Sequence, residues 1–118
     1  MDQSISVLVV EDSQTVSLIL TRQLQNLGYT DVDVASDGQA ALDRLSQKAY
    51  SLVLSDWEMQ PMGGEAFLKA LRQRTKVPDI LTTAKTSRGT AWLSGADAYL
   101  AKPFTEKDLE SAIKTVLK

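Results

Sequence analysis

Tyr50-Ser-Leu-Val-Leu-Ser-Asp-Trp-Glu-Met59 is the stretch around which the rest of the chain is organised. Leu52-Val53-Leu54 has the size and composition of a buried strand. The apolar run stops at Asp56. Burial does not hold an ionised carboxylate in such a place, because it avoids apolar surroundings unless paired. Gln60-Pro61-Met62-Gly63-Gly64 then forms a strong breaker cluster. Asp56 is therefore placed where a strand leaves the core and meets solvent.

Working outward, the same strand-then-polar pattern recurs. Ile5-Ser-Val-Leu-Val-Val10 is a nearly continuous β-branched run, typical of a strand covered on both faces. It ends in Glu11-Asp12-Ser13, where either Asp12 or Ser13 can cap the helix that follows. Val16, Ile19, Leu20, Leu24 and Leu27 recur there at helical spacing, and Gly28 is the expected stop. Val32 to Ala35 reads as a second strand, and Ser36-Asp37-Gly38 opens a helix carrying Ala41, Leu42 and Leu45. Beyond Gly63-Gly64, Ala66, Phe67, Ala70 and Leu71 mark another helix. Ile80 to Thr83 is a fourth strand and Ala98 to Ala101 a fifth. The segment from Lys85 to Leu93 is expected to be a weak helix, since Thr86, Ser87, Gly89 and Thr90 are poor helix formers. Thr105 with Asp108 resembles a capping box, and the last helix turns Leu109, Ala112, Ile113, Val116 and Leu117 to one side. Strand and helix alternate five times, which implies a right-handed parallel α/β sheet with helices on both faces.

Composition narrows the function. The 118 residues suit one domain, and 43 % hydrophobic with 24 % charged residues is ordinary for a globular protein. A formal charge of −2 without a basic block gives no electrostatic reason to expect nucleic acid or an anionic membrane as partner. The absence of cysteine and histidine excludes disulfides, thiolate or imidazole metal sites, Ser-His-Asp catalysis and phosphohistidine on this chain. No run reaches membrane-spanning length and no leader pattern is visible, so a cytoplasmic protein without membrane insertion is expected.

In open parallel sheets function gathers at the carboxyl ends of the strands. Here those ends carry Glu11 and Asp12, Asp56, Thr83 and Lys102. Packed carboxylates raise one another's pKa unless a cation intervenes, and magnesium favours one or two carboxylates with water and phosphate oxygens. A lysine supplies a point charge to a phosphate and a threonine hydroxyl a hydrogen bond. The set points to a magnesium and phosphoryl site.

The residues Val9-Val-Glu-Asp-Ser13, Leu54-Ser-Asp-Trp-Glu-Met59 with Pro61 and Gly64, Thr83-Ala84, Gly95-Ala96 and Tyr99-Leu-Ala-Lys-Pro-Phe104 resemble the response-regulator receiver domain, most of all the single-domain chemotaxis regulators. The resemblance implies one receiver domain over residues 1–118, with a doubly wound, flavodoxin-like five-stranded parallel sheet. The strand order 2-1-3-4-5 is carried over from the family. It implies that Asp56 takes a phosphoryl group from a sensor histidine kinase or phosphotransfer protein. Glu11, Asp12, Asp56 and the backbone carbonyl of Glu58 would hold Mg2+. Thr83 and Lys102 would grip the phosphoryl oxygens by moving toward them, and Tyr99 would be the switch aromatic. The Lys102-Pro103 bond is expected to be cis. Such a chain is no multiple-turnover enzyme. It changes conformation to bind a downstream output protein, without direct nucleic-acid contact. The span from Thr83 to Lys102 is shorter than in chemotaxis regulators, and Lys85-Thr-Ser-Arg-Gly89 resembles regulators of pilus-based motility. Glu58 and Lys85 would border the path of water to a phosphorylated Asp56.

Two rivals stand beside this reading. A magnesium enzyme of the nuclease-primase type also uses acids at strand ends, and Asp56-Trp57-Glu58 fits it superficially. The lack of a basic surface counts against it. A degenerate receiver acting only as an interaction module is opposed by the full set of acids with Thr83 and Lys102.

Overall fold

Alternate side chains of each central strand enter two different cores, and this places helices on both faces of the sheet. The structure is a computed structural model and describes residues 4–58, 62–84 and 96–117. In chain order the elements are β1 (Ser6–Val10), α1 (Gln14–Asn26), β2 (Asp31–Ala35), α2 (Gly38–Gln47) and β3 (Leu52–Asp56). They continue with α3 (Gly64–Arg74), β4 (Asp79–Ala84), β5 (Ala98–Lys102) and α4 (Glu106–Val116). The expected helix from Lys85 to Leu93 lies outside the described residues, as do Met59 and Pro61. No helix among the described residues is long and apolar enough to cross a membrane.

The strands form one parallel sheet in the order β2-β1-β3-β4-β5. Val7 and Val9 of β1 with Leu52 and Leu54 of β3 pack under Leu20 and Leu24 of α1 and Leu109 and Ile113 of α4. Leu8, Val10 and Val53 face the other way, against Ala41 and Leu42 of α2 and Phe67, Leu68 and Leu71 of α3. Each fully buried leucine or phenylalanine contributes about 1.5–3 kcal/mol. These two layers therefore hold the strand ends rigidly in place.

Local signals fix where the helices begin. Ser13 caps α1, its side chain accepting from Val16 N, which leaves Asp12 exposed and uncommitted as a cap. Asp37 caps α2 through Ala40 N at 2.8 Å. The capping box at α4 is complete, with Thr105 and Asp108 each accepting the other's backbone N–H. Gly28, just past α1, has φ 100°, a conformation in which glycine alone is unstrained.

Two details differ from the sequence reading. β3 ends at Asp56 as expected, but Asp56 is buried there and does not meet solvent. β4 begins one residue early, at Asp79, a fully buried aspartate. Ladder hydrogen bonds and cross-strand neighbours extend β4 beyond what apolar composition marks.

Candidate functional site

Register brings the polar strand ends together. Val10 lies opposite Ser55, so Glu11 comes level with Asp56 one residue on. Asp56 lies opposite Thr82, and Ala84 opposite Lys102. Glu11, Asp12 and Asp56 each offer a carboxylate oxygen, and these oxygens lie within 4.8 Å of one another. Lys102 Nζ donates to Asp56 Oδ1 at 2.9 Å and lies 3.7 Å from Glu11 Oε1. Glu58 N also donates to Asp56 Oδ1, at 3.2 Å.

The turn after β3 depends on Gly64. A Cβ there would lie 2.6 Å from Trp57 Cα and 2.7 Å from Asp56 O, both backbone atoms that cannot step aside. Gly64 N donates to Trp57 O at 3.0 Å and Trp57 N to Thr82 O at 2.8 Å. The backbone on either side of Trp57 is thus tied to both α3 and β4. Trp57 is half-buried beside the site.

Two buried carboxyls share one ammonium group. Burial raises the Glu11 carboxyl to about 7, opposed by the Ser13 N–H and reinforced by the neighbouring Asp56. Burial also pushes Asp56 up, against the hydrogen bond and charge of Lys102. For Lys102, burial works against the charged form, but Asp56 and Glu11 outweigh it and its pKa rises. Glu11 Oε1 is buried, has no hydrogen bond and sits too far from Lys102 for one. A buried oxygen left unpaired is costly. A divalent cation coordinated there would satisfy it, so the donor set fits a hard, oxygen-seeking metal.

The other expected residues are placed as follows. Thr83 is buried and donates its hydroxyl to Glu58 Oε1 at 3.1 Å. The exposed Glu58 side chain thus reaches Thr83 and is not one of the clustered acids. This was not legible in the sequence, from which Glu58 is expected as a backbone metal ligand and, with Lys85, as a border of the path of water. Lys85 lies outside the described residues. Tyr99 is half-buried on β5, beside an open groove of about 480 Å³ that Phe104 and Asp108 also line. Lys102-Pro103 is cis, as expected.

Lys102 already touches Asp56 in the unphosphorylated acid. No sequence pattern signals that the lysine bridges from β5, at the sheet edge, across β4 to β3.

The profile of the response regulator receiver domain matches residues 7–114. The chain belongs to the response regulator receiver domain family. It is 36 % identical over 116 residues to the response regulator ArlR of Staphylococcus epidermidis, an alignment covering 96 % of this chain and 52 % of that protein. The chain therefore spans about half the length of the curated relatives it matches. Among solved structures it resembles the chemotaxis response regulator CheY4 of Vibrio cholerae, with TM-score 0.87 and 31 % identity over 97 % of this chain and 99 % of that one. A response regulator receiver domain protein from Clostridium thermocellum gives TM-score 0.88 and 26 % identity, over 96 % and 94 % of the two chains. The chain is thus a receiver domain of the kind found in two-component systems, with a CheY-like fold. Family membership favours the receiver reading over the nuclease-primase one.

Proposed function

We propose that this receiver domain accepts one phosphoryl group on Asp56 from a phosphorylated histidine kinase or phosphotransfer protein, and reports that event by a change of conformation. The observation that carries the reading is the buried Asp56 carboxylate, met by Lys102 Nζ at 2.9 Å and flanked by Glu11 and Asp12. The residues 1–118 act as one receiver unit in this reading.

In the transfer, an Asp56 carboxylate oxygen attacks phosphorus and forms an acyl phosphate. The donor, a phosphoimidazole or a small acyl phosphate, leaves with the electron pair of its broken bond to phosphorus. Phosphoryl transfer needs positioning and neutralisation of charge more than covalent help. Glu11, Asp12 and Asp56, with the Glu58 carbonyl, would hold Mg2+, which when bound neutralises charge on the transferring group. Lys102 already pairs with Asp56 and Glu11 and remains beside the product. Thr83 must exchange its bond to Glu58 for one to a phosphoryl oxygen, which draws β4 toward the site. Tyr99, on the neighbouring strand, would carry the change outward to an output protein. The two-state logic is that phosphorylation stabilises one arrangement over another. Each chain takes one phosphoryl group, so the domain is a switch and not a turnover enzyme. The setting is cytoplasmic signalling such as chemotaxis.

Incubation with magnesium and acetyl phosphate, followed by intact mass measurement, tests this directly. A gain of one phosphoryl group is expected on the wild type and none on Asp56→Asn. A fully occupied adduct on the Asn variant removes Asp56 as acceptor. No adduct on the wild type, from small donors or from kinases, leaves an interaction module of receiver fold.

A further inference from the structure

A second acid sits in the sheet that the site does not use. Asp79 opens β4 with no exposed surface. Its carboxylate is met by the Ser55 hydroxyl, with Oγ 2.9 Å from Oδ1 and 3.1 Å from Oδ2. Ser55 is itself buried and directly precedes Asp56. Successive strand residues point to opposite faces, so Ser55 and Asp56 look away from each other. A serine hydroxyl has a single proton to give, whereas a carboxylate has two oxygens to satisfy. A fully buried carboxylate with one neutral donor favours the protonated form.

The charged groups acting on Asp79, among the described residues, are Arg72 of α3 and Asp97 ahead of β5. Arg72 has partners of its own, the Val77 carbonyl and Asp97 Oδ2, each at 2.6 Å. Asp97 Oδ2 also accepts Asp79 N at 2.9 Å. Burial pushes the Asp79 carboxyl up to about 7, with Ser55 and Arg72 opposing and Asp97 adding to the rise. An apolar side chain at this place would give a more stable core, since buried charge is a net cost. Buried acids of shifted pKa cluster at functional sites.

Its link to the site is short. Ser55 O accepts from Thr82 Oγ1 at 3.4 Å, and Thr82 O accepts from Trp57 N at 2.8 Å, so these contacts bracket Asp56. Asp79 and Thr83 share one face of β4, four residues apart. The ionised Asp79 holds the Ser55 hydroxyl as a charge-assisted donor, which is the stronger bond. The neutral acid instead can donate to Ser55 Oγ and release the serine proton to another acceptor.

We propose that Asp79 and Ser55 form a proton-linked positioning pair, in which ionisation of Asp79 anchors the end of β3 and speeds phosphorylation of Asp56. The inference rests on Asp56 being the acceptor. An output tied to proton concentration near neutrality would follow.

The test is the rate of phosphorylation by acetyl phosphate at saturating magnesium, from about pH 5.5 to about pH 8.5, for wild type, Asp79→Asn and Ser55→Ala. Titration of Glu11 and of the donor is common to all three and divides out of the rate ratios. The ratio of wild type to Asp79→Asn is expected to be constant at acid pH and to rise by about threefold through neutrality. Ser55→Ala keeps the acid but breaks the link, so its profile should follow that of Asp79→Asn. If Asp79→Asn fails to fold, the wild-type to Ser55→Ala ratio carries the same expectation. A flat or falling ratio overturns the proposal, and so does a Ser55→Ala profile shaped like the wild type. A merely structural role would lower the stability of the variants without changing the pH shape of these ratios. An absence of wild-type phosphorylation at every pH overturns the Asp56 reading itself, a result distinct from a flat ratio.

Discussion

Lys102 Nζ donates to Asp56 Oδ1 across 2.9 Å, joining the end of β5 to the end of β3. Asp56 and Glu11 are both almost fully buried, and this one ammonium group balances two acids. Removing one partner of such a group leaves charge uncompensated in a poorly solvated place.

Lys102→Ala should therefore destabilise the metal-free domain by roughly 2–4 kcal/mol at pH 8. Near pH 4 the loss should shrink, because the two carboxyls, already displaced upward, then take up protons and need no counter-charge. Urea unfolding in the presence of a chelator at the two pH values checks this. An equal loss at both would show that the lysine contributes by packing and not by charge.

Glu11 Oε1, buried without a hydrogen bond, leads to a prediction about metal. Magnesium that binds the folded state alone should raise stability by about 1.4 kcal/mol at ten times its dissociation constant. It should also perturb the fluorescence of Trp57, read in a Trp92→Phe background. Asp12→Ala should weaken the titration strongly, since the exposed Asp12 reaches the same cluster. An unchanged titration in that variant removes Asp12 from the ligand set.

Asp79 makes a separate claim on stability, independent of any phosphoryl chemistry. Its folded-state pKa is raised to about 7 from an ordinary value of 3.8, chiefly by burial. Below the ordinary value both folded and unfolded chains hold the proton, so Asp79 has no effect on the pH dependence there. As pH rises from about 4 to about 7 the unfolded chain releases its proton first, and stability falls by on the order of 4 kcal/mol. Above that range both forms are ionised and the loss is complete. Asp79→Asn should remove this component, so the variant gains on the wild type as pH rises. Parallel pH–stability curves for the two proteins would place the titration elsewhere.

Much of the architecture was legible because apolar periodicity, caps and breakers agree along the chain. The β-branched run ahead of Glu11, the stop at Gly28, and the Thr105 and Asp108 box all gave elements that the fold retains. Proximity of the strand-end acids followed from the parallel α/β reading alone. Cross-strand hydrogen bonds were not legible. Nothing in the apolar pattern singles out Asp79, because composition marks a strand by its greasy residues and misses an acid satisfied by a neighbour. Nothing in that pattern singles out Ser55 beside Asp56 either. Its partner lies 24 residues away, and only the β3–β4 register brings the two together. The bond from Thr83 to Glu58 belongs to the same class, since it depends on side-chain reach between two strand ends.

That last bond sets up a competition at the site. Thr83 Oγ1 donates to Glu58 Oε1 at 3.1 Å, and the same hydroxyl proton is required by a phosphoryl oxygen on Asp56. A hydroxyl has one proton, so it serves one acceptor at a time. Glu58 also places a negative charge close to where a dianionic group forms. Its side chain is exposed, and solvent screens that repulsion, so the cost is on the order of 0.5–1 kcal/mol. Glu58→Ala should accordingly raise the phosphorylation rate by a few-fold and alter the lifetime of the acyl phosphate. Thr83→Val should slow phosphorylation by removing the donor. If the two side chains compete as described, Glu58→Ala should gain much less in the Thr83→Val background than in the wild type. The four rates of this double-mutant cycle measure the coupling. Strict additivity would mean that Glu58 acts through its charge alone and that its bond to Thr83 has no part in the chemistry.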